Sequence, residues 1–493
     1  MYLLISQGQY TINIIKFMGI TSLSFIFISS VSVFLYYLLN GKYRVLFLTL
    51  VSCAFIATYS LNLLYYVVIY AVIHFFIGLR IPNTKFKKLL FIIGIVINIS
   101  QLILLKYVSF TVSPIFEALN IELNLYLISK IIIPVGVSYF TLQGIGYLIN
   151  VFQGWEKPEK NFIHFLLYII FYPRFLSGPI DRSNLFLPQL KSVKSFKENG
   201  VTEGFRLVLL GLFKKVVIAN QLAPVIAGAY ATINYSDKLT PLIIVLLQPI
   251  YLYFDFSGYT DIARGFAKAY GIELGPNFNS PFLAENMTNF WKRFHISLSS
   301  WFHDYVFMRI IYKYRKWGKN ASILAVFTTW LLFGIWHGAG WTFMILGILQ
   351  GTVIYYEFSS KSWRARIFSN FPRYVSKLTG RTFTYLYFGT SLVFFFANDL
   401  NTVNTFFSKL LHVNSIFPPG IRVEIFIMVM LFVFLYLVYE IIKNDFPQSY
   451  VRLSTVWLRI GSNIIVRWSV YFILLTIILV FNSEVQEFIY FQF

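Results

Sequence analysis

Apolar residues run through this chain in long unbroken stretches, separated by short clusters of polar and basic residues. Residues 89–107, 422–442 and 466–482 approach or reach the roughly 20 residues that a helix needs to cross a hydrocarbon core. The stretches are continuous and lack the strict alternation of a spanning β-strand, so the spans they predict are helical. Candidate spans are 15–39, 45–58, 63–79, 89–107, 126–152, 205–230, 241–257, 322–337, 341–357, 383–398, 422–442 and 466–482. The pattern predicts an all-α integral membrane protein with roughly eleven to twelve transmembrane helices, forming one membrane domain over 1–493.

Two intervening segments are too long for simple loops. Residues 153–206 hold an apolar stretch, 164–176, that is short for a span and stops at Ser177-Gly178-Pro179. That combination predicts a re-entrant or interfacial helix. Residues 258–321 interleave aromatics with bases, as in Phe290-Trp291-Lys292-Arg293-Phe294-His295, and predict amphipathic helices at the inner interface. Irregular backbone at membrane depth is tolerated where it lines a cavity, so both segments point to a cavity inside the fold.

Composition agrees with the class. Of 493 residues, 57% are hydrophobic and 12% charged, against about 25% charged in a soluble domain. The net charge of +21 raises a nucleic-acid reading, which its distribution argues against. With the N-terminus placed outside, the inner segments hold 32 of the 41 Lys and Arg, and the outer segments hold Lys238 and Lys409. This is the positive-inside pattern. Both termini are then expected outside, and the basic inner face suits anionic headgroups or an anionic cytosolic donor. No cationic region precedes Lys16, so no cleavable signal peptide is expected. The lone Cys53 excludes an intramolecular disulfide and a cysteine-based metal site. No tight cluster of ligating side chains occurs either, so no metal is expected.

Imidazole is the usual general base at neutral pH, and the chain has six histidines. His337 lies in Gly334-Ile335-Trp336-His337-Gly338-Ala339-Gly340-Trp341, where two spans meet and the glycines allow close backbone approach. An ionisable residue at that depth marks a function, although a packing turn would hold the same residues. His295 and His303 are eight apart, on roughly one helix face. Asp304 is placed to orient either neighbour or to pair with Arg309. Asp255, among aromatics in Tyr253-Phe254-Asp255-Phe256-Ser257-Gly258-Tyr259-Thr260-Asp261, suits a helix cap, a partner for a base or a cavity wall. Serine-nucleophile and phosphate-loop motifs are missing.

At these residues the chain resembles the membrane-bound O-acyltransferase family, in its bacterial branch named for alginate O-acetylation. The resemblance rests on Pro134-Val135-Gly136-Val137-Ser138-Tyr139-Phe140-Thr141, on Phe171-Tyr172-Pro173-Arg174-Phe175-Leu176-Ser177-Gly178-Pro179-Ile180, and on the Asp255 block with Asn277-Phe278-Asn279-Ser280-Pro281-Phe282. It also rests on residues 290–305 and on Trp336-His337-Gly338-Ala339 before Trp341. These blocks span a catalytic core, 134–341. Residues 383–493 resemble the alginate-type transmembrane extension, including the ending Phe488-Ile489-Tyr490-Phe491-Gln492-Phe493. The resemblance implies a ring of tilted helices around a central tunnel, with His337 as catalytic base and His295 as the second histidine. It places Trp336, Trp291, Trp341, Asp255 and His303 along the tunnel. His303 stands where the family usually has Arg, and Met308-Arg309-Ile310-Ile311 replaces a Pro-Leu-Gly-Gly segment.

The implied reaction moves an acyl group, expected to be acetyl, from a thioester such as acetyl-CoA or an acyl-carrier protein to a cell-envelope polysaccharide. A bound cofactor is not expected. A secreted or periplasmic acetyltransferase is an expected partner, and the inner membrane the expected location. His295 is expected to hydrogen-bond the thioester carbonyl or to position the donor. D-alanyl transfer toward teichoic acid and peptidoglycan O-acetylation are alternatives of the same chemistry. A transporter or flippase is the alternative of another class, but the chain shows no inverted repeat.

Overall fold

The computed structural model describes residues 19–107, 136–192, 195–233, 241–410 and 421–482. Residues 15–18 and 126–135 of the expected spans, Pro134-Val135, His412 and the ending 488–493 lie outside the described residues. Among the described residues the fold is all-α, with a single isolated antiparallel bridge between Phe278 and Phe294.

The principal helices are α1 (Leu23–Leu38), α2 (Gly41–Tyr59), α3 (Leu61–Arg80), α4 (Lys87–Leu102, continued by a π turn to Tyr107), α5 (Val137–Gln153) and α6 (Phe162–Ile170). Next come α7 (Glu198–Leu212), which passes through a π turn (Phe213–Ala219) into α8 (Asn220–Thr232), then α9 (Pro241–Ala269), α10 (Met287–Trp291) and α11 (Ile296–Phe302). The rest are α12 (Lys319–His337), α13 (Trp341–Ser359), α14 (Arg373–Ser391), α15 (Val423–Asp445), α16 (Pro447–Gly461) and α17 (Ile464–Val480).

Among the described residues, seven helical stretches are long and apolar enough to cross a membrane, including 41–59, 241–269, 319–337 and 423–445. The pair α16 and α17, bent by 103°, makes an eighth if it counts as one broken span. The chain is a multi-pass membrane protein. Some expected spans take other forms. The described part of 15–39 is a 16-residue helix. Residues 383–398 are divided, because α14 ends at Ser391 and a short helix, Val393–Phe396, follows.

Burial sorts the helices into centre and rim. The apolar window of α9 is 83% buried, whereas those of 87–107 and α15 are 17% buried and face outward. α9 packs most extensively against α7. The contact is close because glycines seven apart on each helix meet in pairs, Gly204 with Gly265 and Gly211 with Gly258. A Cβ at Gly211 would stand 2.6 Å from the Gly258 carbonyl oxygen. Small residues serve this purpose in membrane helices, where tight van der Waals packing holds neighbours together. At the same crossing the π turn sends Lys214 to Asp261, at 2.7 Å, and Lys215 to Asp255.

The middle stretches of the two segments too long for loops, 165–180 and 290–302, are largely buried within the protein. α6 has nine residues, too few to span, and its side chains from Phe165 to Ile170 are buried. Residues 290–305, expected as amphipathic interfacial helices, form helices of five and seven residues. Phe290, Trp291, Phe294, Leu298, Trp301 and Phe302 are buried. The aromatic spacing thus reports packing inside the fold instead of a membrane-surface face.

Candidate active site

His337 is the last residue of α12, and its buried imidazole sits in an aromatic cage. Ring centroids lie 4.9 Å away for Phe333, 5.0 Å for Trp336 and 5.6 Å for Phe395. Trp336 is shared, because the His295 ring lies 6.3 Å from the same indole. Phe256, the neighbour of Asp255, stands edge-on to His295 at 4.6 Å. The two histidines, 42 positions apart, are therefore brought against one buried tryptophan. Burial, and then the charge of His337, hold His295 well below the usual imidazole range, so it is neutral at pH 7.

The end of α12 is held from α4. Lys106 Nζ donates to the carbonyls of Trp336 at 2.8 Å and His337 at 3.0 Å, and Tyr107 OH donates to that of Ile335 at 2.7 Å. The last carbonyls of a helix lack intrahelical donors. Here these groups supply them and fix where His337 stands. The sequence reading missed both residues; its signal was a lysine at the very end of an apolar run. Lys106→Met is expected to lower acyl-transfer turnover by about 10²-fold, the cost of a misplaced catalytic group. Single-turnover rates, compared with melting temperature, check this.

A cavity of about 1240 Å³ is lined from α10, α11, α12 and α13, and neither His295 nor His337 is in its wall. Phe333 lines it and touches His337, one helical turn further along α12. Trp291 also lines it, packing on Phe333 at 5.0 Å, and its indole N–H donates to Gln350 at 3.1 Å. Lys292, His303, Lys361 and Arg364 line it as well. Glu357 lines the same cavity, but its carboxylate accepts from the Met287 and Thr288 amides at 2.6 and 2.9 Å, pinning the start of α10. That anchor sets Trp291 and, through the following turn, His295.

The other sequence candidates divide. Trp336 is buried and its indole N–H points to the Ser138 carbonyl at 3.4 Å. His303 is exposed at the cavity edge, 2.9 Å from Asp304, which also meets Arg182 at 2.9 Å. Arg309 lies over the Trp155 ring instead of pairing with Asp304. Asp255 is fully buried against Lys215 and lines neither this cavity nor a smaller polar one beside α9. Trp341 opens α13 with 61% of its surface exposed and lines neither cavity.

Residues 158–398 match the model of MBOAT, the membrane-bound O-acyltransferase family. That segment, just under half of the chain, is the part similar to the family. The MBOAT segment contains both histidines, Trp336 and every residue lining the large cavity. Among its relatives is the probable alginate O-acetylase of Azotobacter vinelandii, 31% identical over 64% of each chain. The peptidoglycan O-acetyltransferase of Helicobacter pylori is 29% identical over 74% of this chain and 73% of that one. The teichoic acid D-alanyltransferase of Bacillus subtilis is 32% identical over 44% of this chain and 57% of its own. The match thus spans just under two thirds of the length of the alginate-type relative.

Proposed function

We propose that this chain is an O-acyltransferase that moves an acetyl group from a cytosolic thioester to hydroxyls of a cell-envelope or extracellular polysaccharide. The observation that carries the reading is His337, buried in an aromatic cage and in contact with Phe333, which lines a cavity of about 1240 Å³ with basic residues in its wall. The kinship with acetyl- and alanyl-transferring relatives supports the same chemistry.

In this reading His337 takes the proton of the acceptor hydroxyl as its oxygen attacks the thioester carbonyl. The tetrahedral intermediate collapses, the C–S bond breaks, and the thiolate leaves with the proton. The products are an ester and a free thiol. The aromatic cage keeps water, the competing nucleophile, away from the thioester. Lys292, Lys361 and Arg364 suit an anionic donor, either acetyl-CoA or a phosphopantetheine-bearing carrier protein. The positive-inside count places these residues on the cytosolic side of the inner membrane and both termini outside. Acceptor and donor then approach from opposite faces, with a secreted or periplasmic acetyltransferase completing the modification.

The test is the O-acetyl content of envelope polysaccharides in cells with and without the gene. Acetyl esters are expected to vanish in the deletion strain and to return with the wild-type chain. Esters that persist unchanged would overturn acetylation. Loss of D-alanyl esters instead would move the reading to alanyl transfer.

A further inference from the structure

His295 sits in strained backbone. With Ser280, it is one of two non-glycine residues with positive φ among the described residues, at 47°. A small clasp imposes that geometry. The Asn279 amide donates to the Arg293 carbonyl and the Ile296 amide to the Asn277 carbonyl, both at 2.9 Å, around the Phe278–Phe294 bridge. Asn277 is fully buried. Its side-chain oxygen receives the Ser297 amide at 3.0 Å and the Ser297 hydroxyl at 2.8 Å, and lies 3.3 Å from His295 Nδ1.

These contacts determine where the proton of His295 resides. A backbone amide is always a donor, so the atom it meets on Asn277 is the oxygen and not the nitrogen. An amide oxygen only accepts, so His295 Nδ1 carries the hydrogen. A neutral imidazole has one N–H, so Nε2 carries the lone pair. We propose that Asn277 is a positioning residue that locks His295 as the Nδ1–H tautomer, so that Nε2 accepts a hydrogen bond from a second hydroxyl of the acceptor, beside the one that reacts. The proposal rests on the acyl-transfer reading and deepens it. It replaces the sequence-based expectation that His295 donates to the thioester carbonyl, because this tautomer has no proton on Nε2 to give. His295 and His337 then have different tasks, the first holding the acceptor by a neighbouring hydroxyl and the second taking the proton of the reacting one.

Asn277 also provides a clean control. Its side-chain nitrogen has no hydrogen-bond partner among the described residues, and the residue borders the polar cavity of about 170 Å³ that Lys214 and Arg264 share. Asn277→Asp therefore keeps every accepting contact and loses no donated one. Asn277→Leu removes the acceptor.

The experiment is solid-state ¹⁵N NMR of histidine-labelled full-length protein in lipid vesicles, with the His295 signals assigned by His295→Gln. The expected result is a protonated Nδ1 and a bare Nε2 in wild type and in Asn277→Asp, with that pattern lost in Asn277→Leu. In acetyl-CoA assays Asn277→Leu is expected to lose about 10²-fold in kcat with little change in the donor KM, and Asn277→Asp to recover most of it. A protonated Nε2 in the wild type overturns the proposal, and that spectrum needs no variant at position 277 to fold. An unchanged tautomer in folded Asn277→Leu overturns it equally. Failure of the acyl-transfer reading looks different: the tautomer is as expected but the wild type transfers no acyl group, which removes the role given to the lone pair.

Discussion

Purified His337→Ala protein, reconstituted in lipid, is expected to lose acyl transfer by about 10³-fold or more while keeping its elution profile and melting temperature. A positioned general base is worth roughly 10²–10⁴-fold, and nothing else in the cage accepts a proton as readily at neutral pH. Folding survives because the contacts that hold the end of α12 go to main-chain oxygens. Lys106 donates to the carbonyls of residues 336 and 337, which alanine retains. The cage rings Phe333, Trp336 and Phe395 keep their contacts with other residues, among them Trp291 and Tyr139. Transfer of labelled acetyl from acetyl-CoA to a polysaccharide extract measures the loss. Activity near that of the wild type in a folded His337→Ala protein would remove the histidine from the mechanism.

The second large effect concerns Asp255. Asp255→Ala is expected to destabilise the protein by about 3–5 kcal/mol, because it strips a buried ammonium of its carboxylate. The pair is enclosed, with side-chain exposures of 3% for Lys215 and 0% for Asp255. The double variant Lys215→Met/Asp255→Leu is expected to regain most of the loss, since both charges leave together. Thermal unfolding in detergent reads both. The double variant also separates structure from chemistry. If it is stable and active, Asp255 has no catalytic part; if it is stable and inactive, the carboxylate takes part in the reaction.

What the sequence makes legible, and what it does not, follows from the range of each interaction. The apolar runs give the helices, because span length is local. The Trp336-His337 pair can be read because it is contiguous and bracketed by glycines. The pairing of residues 277–279 with 293–296 cannot be read, since hydrophobic periodicity carries no record of which loop meets which. Lys106 is harder still: its carbonyl acceptors lie some 230 residues onward. Asp255 looks like a cavity wall because aromatics flank it, yet its partner on the π turn 40 positions earlier takes it into the helix crossing. Trp341 follows the site motif directly, but a tryptophan at a helix end also fits the aromatic belt of a membrane protein, and its exposure agrees with that.

The contact of Lys106 with the end of α12 has an electrostatic meaning as well. A helix C-terminus carries about half a negative elementary charge, so a histidine placed there sits beside a pole that repels the oxyanion of an acyl-transfer intermediate. The Lys106 amine on the last two carbonyls, with the Tyr107 hydroxyl on the one before, caps that pole with hydrogen-bond donors and offsets it. Donors on these carbonyls thus lessen the opposition that a bare helix end would offer to negative charge beside His337.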